Sequence, residues 1–174
     1  MKSLDYDRLM ALFHELGEEL RSVGASGKVY VVGGSAMALA GYTENRVTHD
    51  VDAHITDGHG HVVDAVRKVG RRHDLPGSWL NEQVTPYLST EVDLEATLVF
   101  EHPNLVVTAA SPSRLLAMKL VAGRAQDIDD ASALIRRTKL GGEALRTLII
   151  DAFGRDALTE RVELTIQTVF DAQS

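Results

Sequence analysis

Cysteine is absent from the 174 residues. That excludes disulfides and thiolate metal ligands. Long apolar runs are missing too, so no segment has the length that crosses a bilayer. Aromatic residues are only 5% of the chain, and a small core has first use for them. Trp79 and Tyr87, which have the shape to stack on a base, are therefore expected to pack at the domain surface. Positive charge is short as well. Lys and Arg number 18 against 25 Asp and Glu, a net charge of −7. Proteins held on nucleic acid mainly by phosphate contacts are usually basic. Any RNA contact must then use a local patch, and two runs offer one: Arg67, Lys68, Arg71 and Arg72, and Arg136, Arg137 and Lys139. Such runs are also what solvated helix ends look like. The opening MKSLDYDRLMALFHELGEEL carries acids through its apolar stripe, unlike a signal peptide. The expectation is a cytoplasmic protein with no membrane partner.

What is present is globular. The apolar fraction of 44% and charged fraction of 25% argue against a disordered or fibrous chain. Leu9, Leu12, Phe13, Leu16, Leu20 and Val23 recur at helical spacing, which predicts a helix over 4–23 with Ser3 as N-cap. GASG at 24–27 stops it. KVYVV, 28–32, reads as a buried strand. GG follows, then a short helix, SAMALAG, then a polar loop, TENR. THDVDAHI alternates like a strand. Residues 60–72 place Val62, Val63, Val66 and Val69 on one helical face. LPGSW is a turn, and 81–95 has no clear pattern. ATLVF and NLVVTAA read as strands joined by EHPN. Ser111 caps a helix with Pro112 at its first position, running through RLLAMKLVAG. IDDASALIRRT follows, GG at 141–142 breaks it, and two more helices reach the C-terminus. There is no repeat and no low-complexity tract. The organisation predicted is an α/β front over 1–110 and a helical region over 111–174 that packs on it as one compact unit.

Two short motifs point to chemistry. Asp50 and Asp52 are one residue apart, and residues i and i+2 of a strand face one side. If 49–55 is extended, the two carboxylates converge. Such a pair repels itself unless a cation lies between, and Mg²⁺ (or Mn²⁺) suits hard oxygen ligands while leaving positions for phosphates. A DxD on its own is more often a pair of solvent-facing acids. Gly33, Gly34 and Ser35 shift the balance, because they stand between a strand and a helix. Glycine lets backbone approach a phosphate, the helix start offers N–H groups, and the serine hydroxyl either caps the helix or donates to a phosphate oxygen. A GGS turn alone is equally a plain turn. The histidines of HDVDAHITDGHGH, His49, His54, His59 and His61, make a zinc or manganese site conceivable, but none of the helical metal motifs occurs and exposed, unligated loop histidines are expected.

The order GGSAMALAGYTENRVTHDVD resembles the nucleotidyltransferase superfamily. With Arg46 and Thr48 just before the acids, it is similar to the AbiEii-type and MenT-type toxins of bacterial toxin–antitoxin systems, and also to lincosamide and aminoglycoside 2''-type nucleotidyltransferases. SPSRLLAMKLVAGRAQDIDDASALI resembles a further segment of the toxin group. The resemblance covers roughly residues 28–138. It implies a nucleotidyltransferase α/β fold: a short mixed sheet flanked by helices, with a helical C-terminal region. It implies transfer of an NMP from an NTP to an acceptor hydroxyl, with Mg²⁺ on Asp50 and Asp52. Gly33, Gly34, Ser35, Arg46 and Thr48 would bind the nucleotide. Lys119 would approach the triphosphate, Arg124 would assist, and Asp127 and Asp130 would orient the lysine or line the nucleotide site. The acceptor implied is the 3' end of tRNA, with an antitoxin as protein partner. Lys119 lies inside an apolar helical segment, where an unpaired ammonium is costly, although a snorkelling stem explains it as well. For the third carboxylate common in active members, Asp93 and Glu95 are the nearest candidates and Glu101 follows ATLVF; Asp93 is the one kept, on the condition that its strand begins near Val92. Two alternatives stand: a small cationic acceptor of the aminoglycoside kind, which the acidic balance suits, and a catalytically silent nucleotide- or partner-binding module.

Overall fold

A computed structural model describes residues 3–43 and 47–172. The chain folds into two units. The first takes 1–88 and 96–110, and the second takes 89–95 and 111–174.

The first unit is a mixed five-stranded sheet with helices. Helix α1 (Tyr6–Ser22) starts at Asp5, whose carboxylate accepts the Arg8 N–H at 2.9 Å. Ser3 is therefore not the cap. Leu4, between Ser3 and the cap, exchanges two backbone hydrogen bonds with Thr48. The helix buries Leu9, Leu12, Phe13, Leu16 and Leu20. Strand β1 (Gly27–Val31) runs straight into helix α2 (Gly33–Leu39). That helix begins two residues earlier than its sequence suggests, with both glycines inside its first turn. Strand β2 (Val51–Asp57) and helix α3 (His59–Arg72) follow. Val62, Ala65, Val66 and Val69 of α3 are buried. Strands β3 (Leu80–Asn81), β4 (Thr97–His102) and β5 (Leu105–Ala109) complete the sheet, with a 3-10 turn at Thr85–Tyr87.

The strand order is β3-β2-β1-β5-β4. β1 pairs antiparallel with β2 (Val31 opposite Ala53) and parallel with β5 (Gly27 opposite Leu105). Val29, Val31, Val51, Ala53 and Ile55 are buried, while Tyr30, Asp52 and His54 are only half-buried. Strand alternation thus sends one set into the core and leaves the other on the opposite sheet face. Trp79 is 1% exposed, packs beside Phe13, and donates its indole N–H to Val66 C=O at 2.9 Å. It is a central core residue, not a surface one. Tyr87 is the reverse, 72% exposed.

The second unit is helical: α4 (Pro112–Ala122), α5 (Ala125–Thr138), α6 (Gly142–Phe153) and α7 (Glu160–Asp171). Ser111 caps α4 as its sequence predicts, accepting the Arg114 N–H at 3.2 Å. Among the described residues, no helix is long and apolar enough to cross a membrane.

Candidate functional site

The DxD pair straddles the start of a strand. Asp52 lies on β2, but Asp50 sits in a bend one residue before it. The pleat therefore aims only Asp52. The main chain before the strand is tied down instead by Thr48, whose hydroxyl donates to Asp50 C=O at 2.8 Å. Val51 N–H reaches Trp79 C=O at 2.7 Å. This makes Thr48 a positioning residue of the loop.

Gly33 faces Asp52. Its φ is +65°, which L side chains rarely adopt. A Cβ there would lie 3.1 Å from Asp52 Oδ2. Val32 N–H donates to Asp52 C=O at 2.9 Å. The glycine thus brings bare backbone against the carboxylate. Gly34 follows within the same helical turn. Ser35 is 1% exposed, and its hydroxyl donates to Val32 C=O at 3.1 Å. It does not cap the helix, whose N-cap residue is Val32. Arg46 lies outside the described residues.

A second cluster on this sheet was not foreseen. Glu82 follows β3 and accepts the Ile55 N–H at 2.9 Å. Its carboxylate also meets His59 Nε2 at 2.6 Å and His54 Nδ1 at 3.2 Å. Burial alone would raise the Glu82 carboxyl, but the Ile55 N–H and His59 outweigh it and hold it below its ordinary range. His54 and His59 are therefore paired on regular structure, not idle in a loop. The alternation from Asp52 to His54 carried that signal. Asn81, one residue earlier, donates its amide N–H to Asp50 Oδ2 at 3.4 Å.

The Asp52 carboxylate beside bare glycine backbone, with Asp50 two residues before it, offers hard oxygen ligands of the kind a divalent cation takes together with phosphate oxygens. Among the described residues, no group of three or more His, Asp or Glu side chains is arranged to hold a metal by itself.

In the second unit, Lys119, Arg124, Asp127 and Asp130 do come together. Lys119 is 5% exposed, and its ammonium lies 2.8 Å from Asp127 Oδ1 and 2.7 Å from Asp130 Oδ2. The stem does not snorkel. Arg124 donates to Asp127 Oδ2 from its Nε at 2.7 Å and its backbone N–H at 3.2 Å. Burial alone would raise the Asp127 carboxyl, yet hydrogen bonds from Arg124 and Lys119 keep it below its usual value. The cluster pins α4 to α5. Asp93 lies in the loop before β4, not on the strand, and accepts the Ser111 N–H at 2.8 Å. It serves the start of α4.

The basic run on α3 is largely neutralised. Arg72 is paired with Glu19 and Glu15, Lys68 with Glu19 at 3.3 Å, and Arg67 with Asp64 at 3.5 Å. Arg136 and Lys139 are exposed.

Comparison with known proteins gives one family: a model described as nucleotidyltransferase of unknown function (DUF6036) matches residues 7–164. No curated protein and no solved structure matches the chain.

Proposed function

Because the chain belongs to the DUF6036 nucleotidyltransferases, we propose that it transfers an NMP from an NTP to an acceptor hydroxyl at the Asp50–Asp52 site, with Mg²⁺ or Mn²⁺. The observation that carries this reading is the approach of Gly33 backbone to the Asp52 carboxylate. A side chain at 33 would fill the space that phosphate oxygens need beside the acids. Asp50 and Asp52 would hold the cation, and Gly33 and Gly34 would let the phosphates come close. A bound cation would supply charge neutralisation at the phosphates. The acceptor oxygen forms a bond to the α-phosphorus, the α–β bridging bond breaks, pyrophosphate leaves, and the hydroxyl proton is lost to base or solvent. Most of the catalysis is positioning and electrostatics.

For Lys119, Arg124, Asp127 and Asp130, the support for a nucleotide role is the resemblance to toxin nucleotidyltransferases. Their own surroundings support an internal ion lock.

The acceptor follows the same resemblance: the 3' end of tRNA, in a toxin restrained by an antitoxin. Exposed Arg136 and Lys139 suit an RNA backbone, whereas the α3 run is occupied by Glu15 and Glu19. A second reading has an observation of its own. A cavity of about 500 Å³ in the second unit is lined by Glu91, Asp93, Glu95 and Asp151 against a single cation, Arg114, and this acidic balance suits a small cationic acceptor.

The test is incubation with tRNA, Mg²⁺ and each α-labelled NTP, with Asp50→Ala as control. Asp50-dependent label on RNA supports the tRNA reading. Label absent from RNA but present on an aminoglycoside moves the acceptor to the second reading. No pyrophosphate with any acceptor, from a folded protein, overturns the enzymatic reading.

A further inference from the structure

Asp50 carries half of the proposed metal site, yet the strand does not aim it. It stands one residue before β2. Its carboxylate needs another constraint, and β3 provides one. That strand is only two residues long, but its base is fixed. Trp79 is buried at 1% exposure and hydrogen-bonded to Val66, and its C=O takes the Val51 N–H. Leu80 and Asn81 then pair in parallel with Val51 and Asp52. Asn81 therefore stands beside Asp52 in register.

The orientation of its amide is set. Asn81 Oδ1 accepts the Gln83 backbone N–H at 3.1 Å. Only an oxygen can do that, so the NH₂ end is turned the other way. It meets Asp50 Oδ2 at 3.4 Å. We propose that Asn81 is a positioning residue that holds the Asp50 carboxylate in its metal-binding orientation. The inference rests on the metal-dependent reading above. A neutral amide suits this role. It donates without adding a charge that competes with the cation, as lysine would, and without repelling Asp50, as a third acid would. The contact leaves Oδ1 and a further lone pair of Oδ2 for a metal. Hydrogen-bond partners of ligating carboxylates typically change metal affinity about 10- to 100-fold when removed.

The experiment is Mn²⁺ binding by the full chain, read as loss of the free Mn²⁺ electron paramagnetic resonance signal, with and without a non-hydrolysable NTP analogue. Asn81→Ala should weaken Mn²⁺ binding about 10- to 100-fold. Leu80→Val, in the same short strand, should lower Tm without moving Mn²⁺ affinity. Wild-type affinity in Asn81→Ala overturns the assignment, and so does equal weakening in both variants, which would make the effect one of strand integrity. If the wild-type protein binds no Mn²⁺ even with the analogue, the metal reading itself fails and the role of Asn81 falls with it.

Discussion

Replacing Lys119 with methionine tests the ion lock of the second unit. The substitution keeps most of the side-chain volume, so its cost is electrostatic rather than a cavity. In the native protein the ammonium lies within 2.8 Å of two carboxylates, and the side chains of Asp127 and Asp130 are 0% and 2% exposed. The variant leaves both acids buried, with Arg124 still on Asp127. Removing one member of a buried ion set costs roughly 3–5 kcal/mol, against a total stability of about 5–15 kcal/mol. For a chain of this length that is a fall in Tm of roughly 6–20 °C. Urea unfolding followed by far-UV circular dichroism at neutral pH measures it. The pH dependence has a definite sign. In the native protein the Asp127 carboxyl is held low despite burial, so its contribution is complete above the unfolded value of about 3.9 and is lost as pH falls through the lower folded one. In the variant Lys119 no longer opposes burial, so the Asp127 carboxyl moves up from its native position. The penalty is greatest at neutral pH and shrinks on acidification. The stability gap must therefore narrow on acidification. A loss below about 1 kcal/mol, the range of exposed pairs, or a gap indifferent to pH, refutes the lock.

Other perturbations bear on the first unit. Gly33→Ala forces a side chain onto a backbone with φ +65° and within 3.1 Å of Asp52. It should cost about 1–3 kcal/mol and lower transfer activity, both measurable on one preparation. Trp79→Ala should cost roughly 3–5 kcal/mol in denaturant unfolding, because its 1% exposed ring sits among core side chains. Glu82 has a lowered pKa, so its contribution is present above the unfolded value of about 4.3 and is lost below it. Glu82→Gln should be less stable than wild type at neutral pH and converge with it in acid, as read by Tm against pH. Lys68→Ala with Arg72→Ala should leave tRNA retention on filters unchanged, since both cations are already paired. A large loss of retention would make the α3 run an RNA contact.

Much of this fold was legible in the sequence. α1 and α3 showed in the 3.6-residue spacing of large apolar side chains, and β4 and β5 in two short runs around a turn sequence. The Ser111-Pro112 start of α4 was readable because that pair satisfies helix ends for local reasons. The strand–glycine–helix–DxD order was equally plain. What failed were features fixed by partners distant in sequence. β3 is too short to alternate and exists because it pairs with β2. Asp5 outcompetes Ser3 because Leu4 is committed to Thr48. Asp50 leaves the strand at the end of its pairing, which the DxD spacing cannot reveal. Lys119 looked ambiguous because nothing local to LLAMKLVAG shows two acids arriving from the next helix. Asn81 and Glu82 were silent, since a polar pair in an unpatterned loop has no period.

The parallel pairing of β1 with β5 has a consequence in time. Gly27 pairs with Leu105, roughly eighty residues later, and at about 5–20 residues per second a ribosome needs on the order of 4–16 s to make that stretch. Once β2 (Val51–Asp57) has been made, β1 has it as a neighbour on one side and a bare edge on the other until β5 follows. An unpaired apolar strand is a template for pairing with another nascent chain. The strand at the middle of the finished sheet is thus the one left unfinished longest, and polysome crowding would act on this protein through that edge.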